Sequence, residues 1–538
     1  MADPGPAEDR GDRAAKPPGG HGTGIARASA LLVALTAISQ LLGYVRDAVI
    51  ASTFGAGADL DAYLVAQGFL NLAVTLVAVA LARAIVPPVS RAAAAGRRRS
   101  VDRTAGTVLT TAVLVVLSGS VAMYAAADLV VAVLAPGFDA DTRELAASLT
   151  RIMIVAAVFV ALTDILAAVA QAHGRFFLSG VQGVPFNLVM IAAATWLGAA
   201  HGVEALAIGF VVGSAARMAL QVPAIRAERI SLRPRLALRD DDVREVFRLV
   251  PPLLVGSAVV NVNTLVDRAV GSAQGEGVIT ALSFGWRIVT LVDMLLVVTV
   301  VAALYPAFSR AGIEEDRTAL RALVNRSARG ILVVLAPVVA LLVVAAEPIV
   351  TLLFGRGSFD ADAIDMTATA VIAYAVAAVA IALRSIASRG CLAVGDSRSQ
   401  VIAAVAAMAI NVAGDLTLGV AYGIPGLAAS TSISMIVGAG LLLVLLERRH
   451  DAVTVRSVAV AAFRVSVAAT LGAAAVVLLG VTTSDGAAGV ALLRCAAAAG
   501  VIAVVYVAVL VALRSDELRE AGTIVRRGLL GAALRRSG

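Results

Sequence analysis

Two arginines stand inside stretches that otherwise read as apolar helix: Arg46 in GYVRDAVIAS and Arg287 in SFGWRIV. A guanidinium is costly in the hydrocarbon of a bilayer unless it faces a cavity or the bundle interior. Two at similar depth, one from each half of the chain, could grip a phosphate or pyrophosphate through paired N–H donors. Asp47 follows Arg46 directly, and Asp61 opens the next apolar stretch beside Asp59. The alternative for Arg46 is an ion pair that only holds helices together, with Asp61 as one candidate partner. A second polar group is Asn411 and Asp415, whose i,i+4 spacing puts both on one helical face. A carboxylate and an amide oxygen facing inward are hard ligands that suit a small cation, and Asp267 and Thr431 could join them. The competing reading there is a hydrogen-bonded polar core. No HExxH, GxSxG or Walker-type loop occurs, and His21, His173, His201 and His450 fall in the tail or in loops. Neither hydrolysis nor ATP-driven pumping has residues to support it.

The elements that must position these groups are membrane helices. The 538 residues are 60% hydrophobic and 15% charged, with a mean hydropathy of +0.91. A soluble domain cannot carry that balance, because its surface would be apolar. Aromatics are only 4%, and Ala, Val and Leu dominate, which suits close helix packing in lipid. The net charge of +7 does not point to nucleic acid, since the basic residues sit in short loops. The first 25 or so residues read as disordered, without the apolar core and cleavage site of a removable signal. Cys391 and Cys495 make neither a disulfide nor a metal motif.

At about 20 apolar residues per span, the pattern predicts an all-α polytopic membrane protein with fourteen transmembrane helices. They are expected at 28–53, 62–87, 105–127, 146–172, 183–200, 203–224, 247–272, 279–308, 329–354, 364–389, 398–421, 424–446, 457–481 and 487–513. Loops after even-numbered spans are basic, as in Arg91, Arg97, Arg98, Arg99 and Arg103, then Arg226, Arg229, Arg233, Arg235 and Arg239. The intervening loops are short and almost free of arginine, with Arg143 and Arg356 as exceptions. This alternation predicts that both termini are cytoplasmic.

The chain also repeats itself. DAVIASTFGAG at Asp47 matches DRAVGSAQGEG at Asp267, PPVSR at Pro87 matches PAFSR at Pro306, and FDAD at Phe138 recurs at Phe359. The offsets are 220, 219 and 221 residues, in order. Six spans per repeat return the chain to the same side. The expectation is two parallel six-helix lobes related by a pseudo-twofold axis along the membrane normal, plus two extra C-terminal helices. The expected divisions are a cytoplasmic tail (1–27), an N-terminal lobe (28–224), a cytoplasmic linker (225–246), a C-terminal lobe (247–446), an added helix pair (457–513) and a basic cytoplasmic tail (514–538). Such an architecture belongs to transporters, with a substrate site between the lobes and alternating access.

GYVRDAVIASTFGAGADLDAYLVA, LVDRAVGSAQGEGVITALSFGWRI, YPAFSR, LLFGRGSFDADA and LRSIASRGCLAVGDSRS together resemble the MurJ (MviN) lipid II flippases, of the multidrug, oligosaccharidyl-lipid and polysaccharide exporter superfamily. The resemblance covers about residues 28–513. It implies a flippase, not an enzyme, that carries an undecaprenyl-pyrophosphate-linked peptidoglycan precursor from the cytoplasmic to the outer leaflet of the bacterial plasma membrane. Arg46, Asp47, Asp61 and Arg287 would line its cationic cavity. Asp267, Asn411, Asp415, the carbonyl of Leu427 and Thr431 match the spacing of a sodium site known in some members. The added helix pair would form a groove for the lipid tail. The implied partners are the lipid-linked saccharide, membrane lipid and cell-wall synthesis enzymes, with no resident cofactor beyond a coupling Na+. Two departures stand out. Gln40 occupies a position where members often carry arginine, and the stretch after Asn71 is apolar until Arg83 where they often carry an arginine pair. The alternatives are a flippase for another polyprenyl-linked glycan and a cation-coupled drug exporter.

Overall fold

A computed structural model describes residues 21–74, 78–294, 317–481 and 488–515. The expected tail before residue 21, the PAFSR copy at Pro306 and the expected tail from residue 516 lie outside the described residues, as does the predicted eighth span from residue 295 onward.

The first half of the chain forms α1 (His21–Phe54), α2 (Ala58–Val74), α3 (Ala80–Ala94), α4 (Arg98–Ala125), α5 (Ala127–Leu134), α6 (Ala140–Met153), α7 (Ala156–Ala172), α8 (Phe177–Gly180), α9 (Gly183–Ala192), α10 (Gly198–His201) and α11 (Glu204–Ala227). The second half forms α12 (Asp241–Ser272), α13 (Val278–Val292), α14 (Arg317–Val344), α15 (Ala346–Phe354), α16 (Ala361–Tyr374), α17 (Ala377–Ala393), α18 (Ser397–Gly414), α19 (Val420–Tyr422), α20 (Ile424–His450), α21 (Val455–Leu478) and α22 (Ala488–Ala512). Among the described residues, nine helices are long and apolar enough to cross a membrane, or ten if the bent pair α6–α7 counts as one span. Fourteen spans were expected. The predicted second span falls on α2 and α3, with residues 75–77 outside the described residues, and the first and seventh coincide with α1 and α12, which are 34 and 32 residues long.

The internal repeat is visible in the backbone. A π-helical turn at Ala193–Leu197 joins α9 to α10, and another at Asp415–Gly419 joins α18 to α19. Both FDAD copies do the same work. Asp139 accepts from the Thr142 amide at 2.9 Å and Asp360 from the Ala363 amide at 2.9 Å, so each caps the helix that follows. The two exceptional arginines are satisfied close by: Arg143 donates to the Phe138 carbonyl (2.9 Å) and Arg356 to that of Leu352 (3.1 Å).

The arginine-poor face is closed between the halves. The Ser358 amide donates to the Ser52 carbonyl at 2.8 Å, and the Ser358 hydroxyl to that of Thr53 at 3.1 Å. Gly277, at φ 78°, lies so close to the Ala56 carbonyl that a Cβ would stand 2.7 Å from it. Only glycine takes that conformation and that approach together. Beneath this seal, Phe284 packs on Phe354 and Phe359, with ring centroids 4.8 and 6.0 Å away. On the basic face, Arg97 and Arg103 pair with Asp242 (3.4 Å) and Asp240 (3.5 Å), and Arg91 pairs with Glu245. These pairs tie the α3–α4 turn to the start of α12. The helices α21 and α22 pack on each other and on α14, where the Tyr506 hydroxyl donates to the Val333 carbonyl at 3.0 Å.

Candidate functional site

Between the halves lies a cavity of about 430 Å³ whose lining includes Arg46, Asp47, Asp267, Arg268, Arg287 and Arg384. Arg46, five turns into its predicted span, donates from Nε (2.9 Å) and Nη2 (2.6 Å) to Asp47 Oδ1. Its Nη1 donates to Asn187 Oδ1 at 3.0 Å, and its guanidinium sits 5.7 Å from the Phe186 ring centroid. Asn187 in turn donates to the Ser39 carbonyl at 3.0 Å, which fixes the amide. From the other half, Arg287 donates through Nε to Asp47 Oδ2 at 2.7 Å and stacks 4.6 Å over Tyr44. The Tyr44 hydroxyl donates to the Arg287 carbonyl at 3.1 Å. One carboxylate therefore bridges both arginines while each keeps part of its fork of donors.

Asp61 is placed elsewhere. It does not pair with Arg46; it is buried at the arginine-poor face and caps α13. Its Oδ2 accepts from the Gly277 amide (2.8 Å), and its Oδ1 from the Thr280 amide (2.7 Å) and hydroxyl (2.6 Å). Asp47, adjacent in sequence, already occupies Arg46, and the free N-terminus of α13 attracts the second carboxylate.

The other predicted cluster comes together. Asn411 donates to Asp415 Oδ2 at 2.8 Å and to the Ser430 hydroxyl at 3.3 Å, and Ser430 itself donates to Asp415 Oδ1. Thr431 donates to the Leu427 carbonyl at 3.3 Å. Asp267, on α12, lies within interaction range of Asp415 and Asn411, and its Oδ1 is buried without a hydrogen-bond partner. Two carboxylates, two hydroxyls, an amide and a carbonyl, with one carboxylate oxygen unsatisfied, form a donor set that fits a small hard cation. Among the described residues no cluster of three or more His, Cys, Asp or Glu could hold a metal. The π-helical turn begins at Asp415 itself, which is buried.

Sequence reasoning missed Asn187, Phe186, Tyr44 and Ser430. Each is a common residue in an apolar helix, and only its partner, far along the chain, gives it meaning. Arg268 stood in a recognised motif without a role. In the structure it crosses to the other half, donating to the Leu64 carbonyl and, at 3.4 Å, to that of Val65.

An all-helical bundle of two repeated halves, closed on one face over a charged central cavity, is a membrane transporter architecture. The chain belongs to the MurJ family: the family model described as "Lipid II flippase MurJ" matches residues 50–497. Among curated relatives, "Lipid II flippase MurJ" of Burkholderia cenocepacia is 28% identical over 438 residues, covering 79% of this chain and 84% of that one. A Vibrio cholerae protein named "Probable lipid II flippase MurJ" is 26% identical over 426 residues, covering 77% and 81%. A solved lipid II flippase MurJ in an inward closed conformation superposes with a TM-score of 0.77 at 22% identity, covering 91% of this chain and 99% of that one. An inward-facing multidrug-resistance MATE transporter superposes at 0.65 and 16% identity, covering 77% and 95%. These two solved structures bear on the fold, which the chain shares with both.

Proposed function

We propose that the protein flips lipid II, an undecaprenyl-pyrophosphate-linked saccharide, from the cytoplasmic to the outer leaflet by alternating access. The observation that carries this reading is the meeting of Arg46 and Arg287 on Asp47, one arginine from each half, at the wall of a shared cavity. A pyrophosphate entering there would replace the carboxylate as their bidentate partner. The family and the names of the relatives support the substrate. Closure of the arginine-poor face fits a state open, or able to open, towards the basic face, which we take as cytoplasmic together with both termini. The added helices α21 and α22 would form a groove for the lipid tail. Na+ held by Asp267, Asn411, Asp415, the Leu427 carbonyl and Thr431 would bias one state over the other.

Depletion of the protein should accumulate lipid II in the inner leaflet. Arg46→Ala and Arg287→Ala should each abolish rescue while the protein stays in the membrane; normal rescue by both would refute the role of the pair. A second reading, another polyprenyl-linked glycan, is favoured by Gln40 and by the apolar run after Asn71. An unchanged lipid II pool with a different accumulated precursor would select it.

A further inference from the structure

Among the described residues four arginines line the cavity, and three have anions or carbonyls to hold. Arg46 and Arg287 share Asp47, and Arg268 bonds the Leu64 and Val65 carbonyls beside Asp267. Among the described residues, Arg384 alone of the four has neither an ion pair nor a hydrogen bond. The part of the same cavity lining that α18 and α20 contribute includes Met408, Ser434 and Met435 and, among the described residues, no carboxylate. A half-buried guanidinium left uncompensated within a membrane bundle is costly, and that cost is recovered when an anion arrives.

Its depth indicates which anion. The Trp286 ring, next to Arg287, meets Tyr374 at 5.2 Å. From Tyr374 the helix pair α16–α17 continues towards the basic face, and at 1.5 Å per residue Arg384 lies about 15 Å further on. That is too far to share the pyrophosphate held at Arg46 and Arg287. A disaccharide with an attached peptide can bridge it. Resting on the flippase reading above, we infer that Arg384 is a second anion-binding point, which takes a carboxylate of the head group while the paired arginines take the pyrophosphate. A guanidinium fork matches a carboxylate bidentately, and the flexible Met408 and Met435 can repack around a variable peptide.

The test uses full-length protein in proteoliposomes with two substrates: lipid II, and lipid II whose stem-peptide carboxylates are all converted to amides. Wild type should move lipid II at least tenfold faster than the amidated lipid. Arg384→Gln should bring lipid II down to the amidated rate and leave the amidated rate unchanged, which also shows the variant to be folded. Arg384→Lys should restore part of the preference. If wild type moves both lipids equally, or Arg384→Gln slows both alike or neither, the inference is overturned. A wild type that moves neither lipid overturns the flippase reading instead.

Discussion

Asp61 and Thr280 belong to opposite halves of the chain, yet the Asp61 carboxylate accepts both the Thr280 amide at 2.7 Å and its hydroxyl at 2.6 Å. With the Gly277 amide it closes the first turn of α13 from across the interface. A helix cap within one half adds only to that half's stability. A cap between halves adds to the closed state alone, and under the proposed alternating access it would be lost on opening of the face. Asp61→Ala removes all three acceptor contacts, at about 1 kcal/mol for a typical cap, and should shift the protein away from closure. Cysteines placed at Ser52 and Ser358, whose backbones meet at 2.8 Å, give the readout. Their disulfide should form several-fold less efficiently in the Asp61→Ala background, and equal efficiency would show that the cap does not govern the seal.

Gly68 gives a second handle on the interface. A Cβ there would run into the Arg268 guanidinium, which occupies the space to reach the Leu64 and Val65 carbonyls. Gly68→Ala should therefore expel Arg268 towards Asp267, with which it shares the cavity wall. Transport should fall at least tenfold. Gly119→Ala is the control, because nothing lies within 4 Å of a Cβ at that position and alanine favours the helix. Equal activity of the two variants would remove Arg268 from any account of coupling between the halves.

The proposed cation site makes a prediction about stability. A ligand that binds only the folded state adds about 2.7 kcal/mol when present at a hundredfold excess over its Kd. Na+ should raise the Tm of detergent-purified protein relative to choline at the same ionic strength. Asp415→Ala and Asp267→Asn should abolish the difference while the proteins remain folded in choline. A Tm insensitive to Na+ in the wild type would leave Asn411, Asp415 and Ser430 as a hydrogen-bonded core.

What the sequence made legible was local or periodic. FDAD could be recognised twice because a cap needs only its own helix start, and Asp139 and Asp360 both cap. Asn411 and Asp415 could be paired from their spacing because four residues define one helical face. Arg46 and Arg287 could be matched in depth by counting residues. Asp61 could not be placed, because its donors lie more than 200 residues away and a neighbouring arginine is the obvious partner on paper. Ser430 was invisible for a similar reason: it completes the Asp415 site from the next long helix, and serine in a span is unremarkable. The π-helical turn that begins at Asp415 leaves no mark in hydropathy.

The basic face holds a titratable contact whose pH dependence can be worked out. Asp396 caps α18, accepting from the Ser399 amide at 2.9 Å and hydroxyl at 2.6 Å, and it meets His450 Nε2 at 2.8 Å. The Ser399 bonds first, and His450 after them, hold its carboxyl far below the usual carboxylate range. A carboxyl whose pKa is lower folded than unfolded stabilises the fold above the unfolded value of about 3.9. That contribution fades as pH falls through this value towards the folded one, because the unfolded chain then binds the proton more readily. Asparagine is itself a good cap, so Asp396→Asn isolates the charge. The variant should have a lower Tm than wild type at pH 7, by a gap that holds to about pH 5 and narrows below about pH 4. Thermal scans across that range check it, and a gap as wide at pH 3.5 as at pH 7 would mean that the carboxylate charge is not what joins α18 to the end of α20.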